Sequence, residues 1–84
     1  MNTYFFYILR CRDHSLYCGQ TTDIDKRVTE HNKNQKKASK YVWARRPAML
    51  VYLESYTTKS EALRREYVVK QWPKARKESL VTKT

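Results

Sequence analysis

The chain has 84 residues, of which 18 are Lys or Arg and 8 are Asp or Glu, so its formal charge is +10. A chain of this size buries only about 60–65% of the surface it exposes when unfolded, which allows one small domain and excludes large insertions. The 2 Phe, 2 Trp and 7 Tyr can fill a small core, against a wholly disordered basic tail, and one Gly with two Pro excludes a collagen-like chain.

The longest apolar runs, Phe5 to Leu9 and Met49 to Leu53, are short. A membrane helix needs about 20 such residues and a secretory signal about 7–15. A soluble, cytoplasmic protein with no membrane contact is therefore expected. Cys11 and Cys18 are too few for a disulfide scaffold or a cysteine zinc site. Both lie in strand-like runs and are expected as small buried apolar residues. A charge of +10 on so small a surface attracts polyanions, and nucleic acid is the common intracellular one.

Residues 4–11 are aromatic or apolar at most positions and read as a strand. Arg12-Asp13-His14-Ser15 reads as a turn, and residues 16–21 as a second strand forming an antiparallel hairpin with the first. Thr22 or Asp23 can cap a helix from Ile24 to Asn32, with Ile24, Val28 and His31 on one face. Lys33 to Lys40 is polar and basic and reads as a mobile loop. Pro47 precedes a third strand, Met49 to Glu54. Thr58 and Glu61 form a capping box for a helix from Lys59 to Trp72, which Pro73 ends. Lys74 to Leu80 can form one more short helix, with residues 82–84 as a frayed tail. The order ββα-β-α(α) predicts an α+β fold, a three-stranded antiparallel sheet flanked by helices, in a single domain over residues 1–84.

Several residues admit both a packing and a chemical reading. Tyr7 and Tyr17 are ordinary strand aromatics, or hydroxyls able to act as a base beside cations. Gly19, the only glycine, marks a close approach of either a polyanionic substrate or a packed helix. Arg27 and His31 are four apart and share a helix face; Arg27 is a surface residue covering apolar neighbours, or a clamp on a phosphate oxygen. Glu66 borders the inward stripe of its helix, so it is either ion-paired, with Lys70 as a partner, or a Mg²⁺ ligand. No Walker-type loop, dinucleotide fingerprint or zinc spacing is present.

Together these residues resemble the GIY-YIG nuclease superfamily, and its small stand-alone bacterial members most. Phe5-Phe6-Tyr7 stands at the GIY triplet and Tyr17-Cys18-Gly19 at YIG. Arg27 falls ten residues after Tyr17, where the superfamily carries its arginine, and His31 follows one helical turn later. Lys40-Tyr41 and Ala44-Arg45-Arg46-Pro47 are similar to the segment before the third strand. Ser60 to Glu66 with Val69-Lys70 resembles the last conserved helix, Glu66 taking the metal-ligand position. Phe5, Phe6 and Cys18 depart from the motif only at packing positions.

The resemblance implies a phosphodiester hydrolase using one Mg²⁺ (or Mn²⁺), acting on nucleic acid, with structure-specific DNA ahead of RNA. In it Tyr7 assists the attacking water, Arg27 stabilises the phosphate, Glu66 holds the metal, and Tyr17 and His31 orient water or phosphate. The alternative is a nucleic-acid-binding module with this fold and little cleavage. A third, weaker option is a small basic ribosome-associated protein. No obligate protein partner is expected. Lys36, Lys37, Lys40, Arg45 and Arg46 are expected on the nucleic-acid backbone, with Tyr41 or Trp43 stacking on a base. Tyr7, Tyr17, Arg27 and Glu66 are expected on one concave face. That requires Tyr7 and Tyr17 to share a sheet face, which a three-residue connection Asp13-His14-Ser15 would supply by pairing Cys11 with Tyr17. The same parity puts Cys11 and Cys18 on opposite faces, without a disulfide.

Overall fold

A computed structural model describes residues 3–82. Strands β1 (Tyr4–Arg10), β2 (Leu16–Thr21) and β3 (Met49–Tyr56) form one antiparallel sheet in the order β2-β1-β3. Helices α1 (Ile24–Lys33) and α2 (Lys40–Ala44) cover one face, and α3 (Lys59–Lys70) with α4 (Lys74–Thr82) covers the other. The central strand is covered on both sides, which explains its unbroken apolar run. Tyr7, Leu9 and Cys11 meet Val42 and Ala48 on the α1 side. Phe6 and Ile8 meet Cys18 and Val69 on the α3 side. Both cysteines are buried and free, on opposite faces as expected.

The hairpin pairs odd residues with odd, so Tyr7 and Tyr17 do share a face. Its register differs from the expectation: Leu9, not Cys11, lies opposite Tyr17, and Tyr7 lies opposite Gly19. The connection is Arg12-Asp13-His14, closed by Cys11 N–H donating to the Ser15 carbonyl at 2.9 Å. His14 supplies the left-handed residue (φ 69°) that such a three-residue loop needs. Asp13 fixes the exit by accepting from the Ser15 amide at 3.1 Å and from its hydroxyl.

Asp23 caps α1, accepting from the Lys26 amide at 3.1 Å, a contact worth about 1 kcal/mol. At the other end of α1, the Asn32 side chain donates to the Ala48 carbonyl at 2.9 Å and accepts from its amide at 2.8 Å. One amide thus satisfies both backbone groups of the residue that leads into β3.

The expected mobile loop is shorter and tied down. Lys33 still belongs to α1, Ser39 caps α2 by accepting from Val42 N–H at 3.1 Å, and Lys40 begins that helix. Between them, Arg27 Nη1 donates to the Lys37 carbonyl at 2.7 Å. β3 runs two residues past its expected end because Ser55 and Tyr56 still pair with Phe5 and Tyr4 of β1; its anchor is Glu54. It accepts from the Tyr52 and Tyr56 hydroxyls and from Arg65 at 3.0 and 3.1 Å, clamping α3 to the sheet. The capping box forms at Thr58 and Glu61, and α3 stops at Lys70, short of Trp72. α4 extends through Thr82, and residues 83 and 84 of the expected frayed tail lie outside the described residues. Arg10 holds α4 with a two-pronged bond to Glu78 at 2.8 and 2.6 Å.

Candidate active site

Tyr7 starts on the central strand and reaches outward across β2. A methyl group at Gly19 would meet the Tyr7 ring at 2.9 Å from Cε2 and lie closer still to Cζ and the hydroxyl. The close approach that requires glycine is therefore made by Tyr7 itself. It is neither a substrate nor a helix, the two readings the sequence left open.

The Tyr7 hydroxyl meets Nε2 of His31 at 2.9 Å. His31 is wholly buried, and its Nδ1 accepts from the Ser39 amide at 3.3 Å. A neutral imidazole that accepts at Nδ1 carries its hydrogen on Nε2. Nε2–H therefore donates to the Tyr7 oxygen, and the phenolic hydrogen is left to turn elsewhere. Burial, assisted by the Arg27 charge, pushes the His31 pKa down to about 4, so the ring is neutral at pH 7.

Burial also pushes Tyr7 up to about 12, with Tyr17 and Glu66 adding to the rise and Arg27 opposing it. At neutral pH Tyr7 is thus a phenol, the Arg27 charge opposing the rise without cancelling it. Tyr7 is 1% exposed, whereas Tyr17 is half-buried and lines an open cleft.

Arg27 is aimed by Glu30 at 3.2 Å and by the Lys37 carbonyl. Burial works against its charge, but Tyr7, Glu30 and Tyr17 hold its pKa above the ordinary guanidinium value. It lines a polar recess of about 540 Å³ with Tyr4, Gln20, Thr21, Thr22 and Lys59. Tyr17 packs edge-on to His31 (5.3 Å between centroids) and stacks with Tyr41 (6.1 Å). It lines a second cleft, of about 330 Å³, with Lys70 and Lys77.

Glu66 comes from α3, on the other side of the sheet. Its charge still bears on Tyr7 and on Cys18, and its Oε2 lies 2.9 Å from Lys70 Nζ. Tyr7 and Tyr17 share a sheet face as expected, and the expectation of one concave face is corrected for Glu66. Tyr7, Tyr17, Arg27 and His31 lie on the α1 side, while Glu66 approaches from the α3 side, at the edge formed by β2. Of the two sequence readings of Glu66, the ion pair with Lys70 is present.

Among the described residues no group of three His, Cys, Asp or Glu could hold a metal ion. That donor set does not suit zinc. Mg²⁺ and Mn²⁺ bind through as few as one or two carboxylates, with water and phosphate oxygens completing the shell. Glu66 is the carboxylate that would hold such an ion, in place of its bond to Lys70.

The expected nucleic-acid residues divide into two groups. Lys36 and Lys40 are exposed and form no ion pair among the described residues. Lys37 lies 3.9 Å from Glu30. Arg45 bonds Asp13 at 3.1 Å and sits 3.8 Å from the Tyr41 ring centre. Arg46 donates to the Trp43 carbonyl at 2.8 Å and covers the Trp43 ring at 3.4 Å. With Tyr17 against Tyr41 as well, the aromatic faces expected to receive a base carry protein partners in this structure. Sequence reasoning passed over Ser39, whose amide sets the His31 tautomer, and over Lys59 and Lys77, which line the two recesses. No spacing rule points to a backbone amide eight residues away.

The family model for the GIY-YIG catalytic domain matches residues 3–79. The chain belongs to the GIY-YIG family. A UPF0213 protein of Staphylococcus saprophyticus is 45% identical over 82 residues, covering 98% of each chain. One from Staphylococcus epidermidis is 47% identical over 81 residues, covering 96% of each. The solution NMR structure of a UPF0213 protein from Bacillus halodurans, 41% identical, superposes with a TM-score of 0.61 over 95% of this chain and 83% of that one. An E. faecalis protein solved by NMR, 32% identical, gives 0.67 over 99% and 86%. The relatives are thus small proteins of this same GIY-YIG type, and the α+β architecture is common to them. Membership in the family suggests a nuclease-type protein that interacts with nucleic acid. No helix among the described residues is long and apolar enough to cross a membrane.

Proposed function

We propose that this GIY-YIG protein is a Mg²⁺-dependent nuclease that hydrolyses phosphodiester bonds in structured DNA. The observation carrying this reading is the coupling of Tyr7, His31, Arg27, Tyr17 and Glu66 around one strand edge of a protein with charge +10. Those are the groups a phosphate-cleaving site needs: an aimed guanidinium, oriented hydroxyls and a carboxylate.

Arg27, already fixed by Glu30 and Lys37, presents its fork to the non-bridging oxygens and offsets the charge that grows there. His31 keeps the Tyr7 oxygen in place with its Nε2–H, so the phenolic hydrogen orients a phosphate or water oxygen. Tyr17, the more exposed hydroxyl, meets the attacking water first. Water adds to phosphorus as the bond to the leaving oxygen breaks; the water proton passes to solvent, and the leaving oxygen takes up a proton from solvent. Glu66 would hold Mg²⁺, which when bound neutralises phosphate charge and lowers the pKa of a coordinated water.

A second reading has a specific observation behind it. Tyr7 is held as a phenol, and Glu66 is engaged by Lys70, as in a module that binds nucleic acid without cutting it. Incubating the folded protein with labelled flaps, junctions, duplexes and single strands, with Mg²⁺ or with chelator, decides between them. Cleavage that chelator abolishes supports the nuclease. Binding across the panel with no product under either condition supports the module.

A further inference from the structure

We propose that Lys70 occupies the place of the metal at Glu66, so that metal binds well only after nucleic acid has drawn the ammonium away. The proposal rests on the nuclease reading and specifies how its carboxylate is kept until needed. Lys70 Nζ lies 2.9 Å from Glu66 Oε2, and this is the only ion pair of Glu66 among the described residues. The Glu66 side chain is 18% exposed and that of Lys70 49%, so the carboxylate is set in and the ammonium is near the mouth. The ammonium is also 5.9 Å from the Tyr17 ring centre, at the cleft where a backbone phosphate would arrive.

One carboxylate cannot serve an ammonium and a dication equally. A divalent ion approaching Glu66 in the free protein meets the Lys70 charge and must displace it from its bond. A phosphate in the Tyr17 cleft offers Lys70 another anion, which the long flexible lysine stem can reach without moving α3. Metal and nucleic acid then favour each other's binding, by the same factor in either order.

The test measures Mn²⁺ affinity by the paramagnetic resonance of free Mn²⁺, in wild type, Lys70→Met, Lys70→Arg and Glu66→Gln. Lys70→Met is expected to bind Mn²⁺ more tightly by on the order of tenfold, the size of one unit charge beside a dication even in a water-like medium. Lys70→Arg keeps the charge and is expected to stay near wild type. A cleavage-resistant phosphorothioate single strand is expected to tighten Mn²⁺ binding in wild type much more than in Lys70→Met. If Lys70→Met binds no tighter than wild type while Glu66→Gln weakens both, the Lys70 role is overturned and the metal at Glu66 stands. If Glu66→Gln changes nothing in either background, both fall. Thermal melts followed by circular dichroism confirm that each variant is folded.

Discussion

The phenol of Tyr7 occupies the space where any side chain at Gly19 would begin. Tyr7 is fully buried and bonded to His31, so it cannot yield without losing that contact. Gly19→Ala is expected to cost about 1–3 kcal/mol, the range for overpacking a filled interior. In a Tyr7→Leu background the same change should cost clearly less, because the two residues share one volume. Urea unfolding of the four proteins in the cycle measures this, and simple additivity would remove the proposed reason for the glycine.

His31 gives the protein a defined acid sensitivity. An unfolded histidine titrates near 6.5, while the folded one is pushed down to about 4. The folded state therefore binds fewer protons in this window. Stability is complete above about pH 6.5, falls as the pH drops toward 4, and has lost about 3 kcal/mol below that. In His31→Gln this part of the pH dependence should vanish. Parallel curves for the two proteins between pH 7 and 4 would show that the imidazole is not held neutral.

Cleavage and binding should separate at the site. Glu66→Ala is expected to abolish Mg²⁺-dependent cleavage with little change in affinity for nucleic acid, since the carboxylate adds no attraction for phosphate. Arg27→Ala is expected to lower the cleavage rate by about 10²–10³-fold. It should also loosen the connection between α1 and α2, because the same guanidinium holds the Lys37 carbonyl. Hydrogen exchange of residues 34–39 reports the second effect independently of catalysis. An unchanged cleavage rate in Glu66→Ala would exclude the metal role.

Salt should discriminate among the basic residues. Affinity for nucleic acid should drop as salt rises from about 50 to about 200 mM. Neutralising Lys36 or Lys40, which are exposed and without ion pairs among the described residues, should each reduce the slope of log affinity against log salt by about 1. Arg45→Ala should instead lower stability, because Arg45 joins Asp13 to Tyr41. A slope unchanged by both lysine variants would move the contact surface elsewhere.

The strands and long helices were legible because pattern and punctuation agree there: Asp23 and Thr58 cap the helices they precede, and β1 reads as a covered strand. The five-residue α2 was not, since so short a stretch shows no period, and only Ser39 before it marks its start. At the site, the identities were readable and the geometry was not. Parity put Tyr7 and Tyr17 on one face, but the register was displaced by two residues because His14 rather than Ser15 ends the connection. That displacement hid the pairing of Tyr7 with Gly19, and with it the reason for the only glycine. The Glu66 side of the site was hidden for a different reason. Helical spacing tells which stripe a residue occupies, and does not tell which end of a helix passes a sheet edge.

Tyr7 and Glu66 belong to opposite ends of the chain's own history. During synthesis the hairpin bearing both tyrosines emerges early, and α3, which carries the carboxylate, emerges among the last elements. Until that helix has docked, one face of the sheet lacks its cover and the Glu66 carboxylate is missing from the site. Docking of α3 therefore completes two things at once, the apolar cover of Phe6 and Ile8 and the approach of Glu66 to the edge strand.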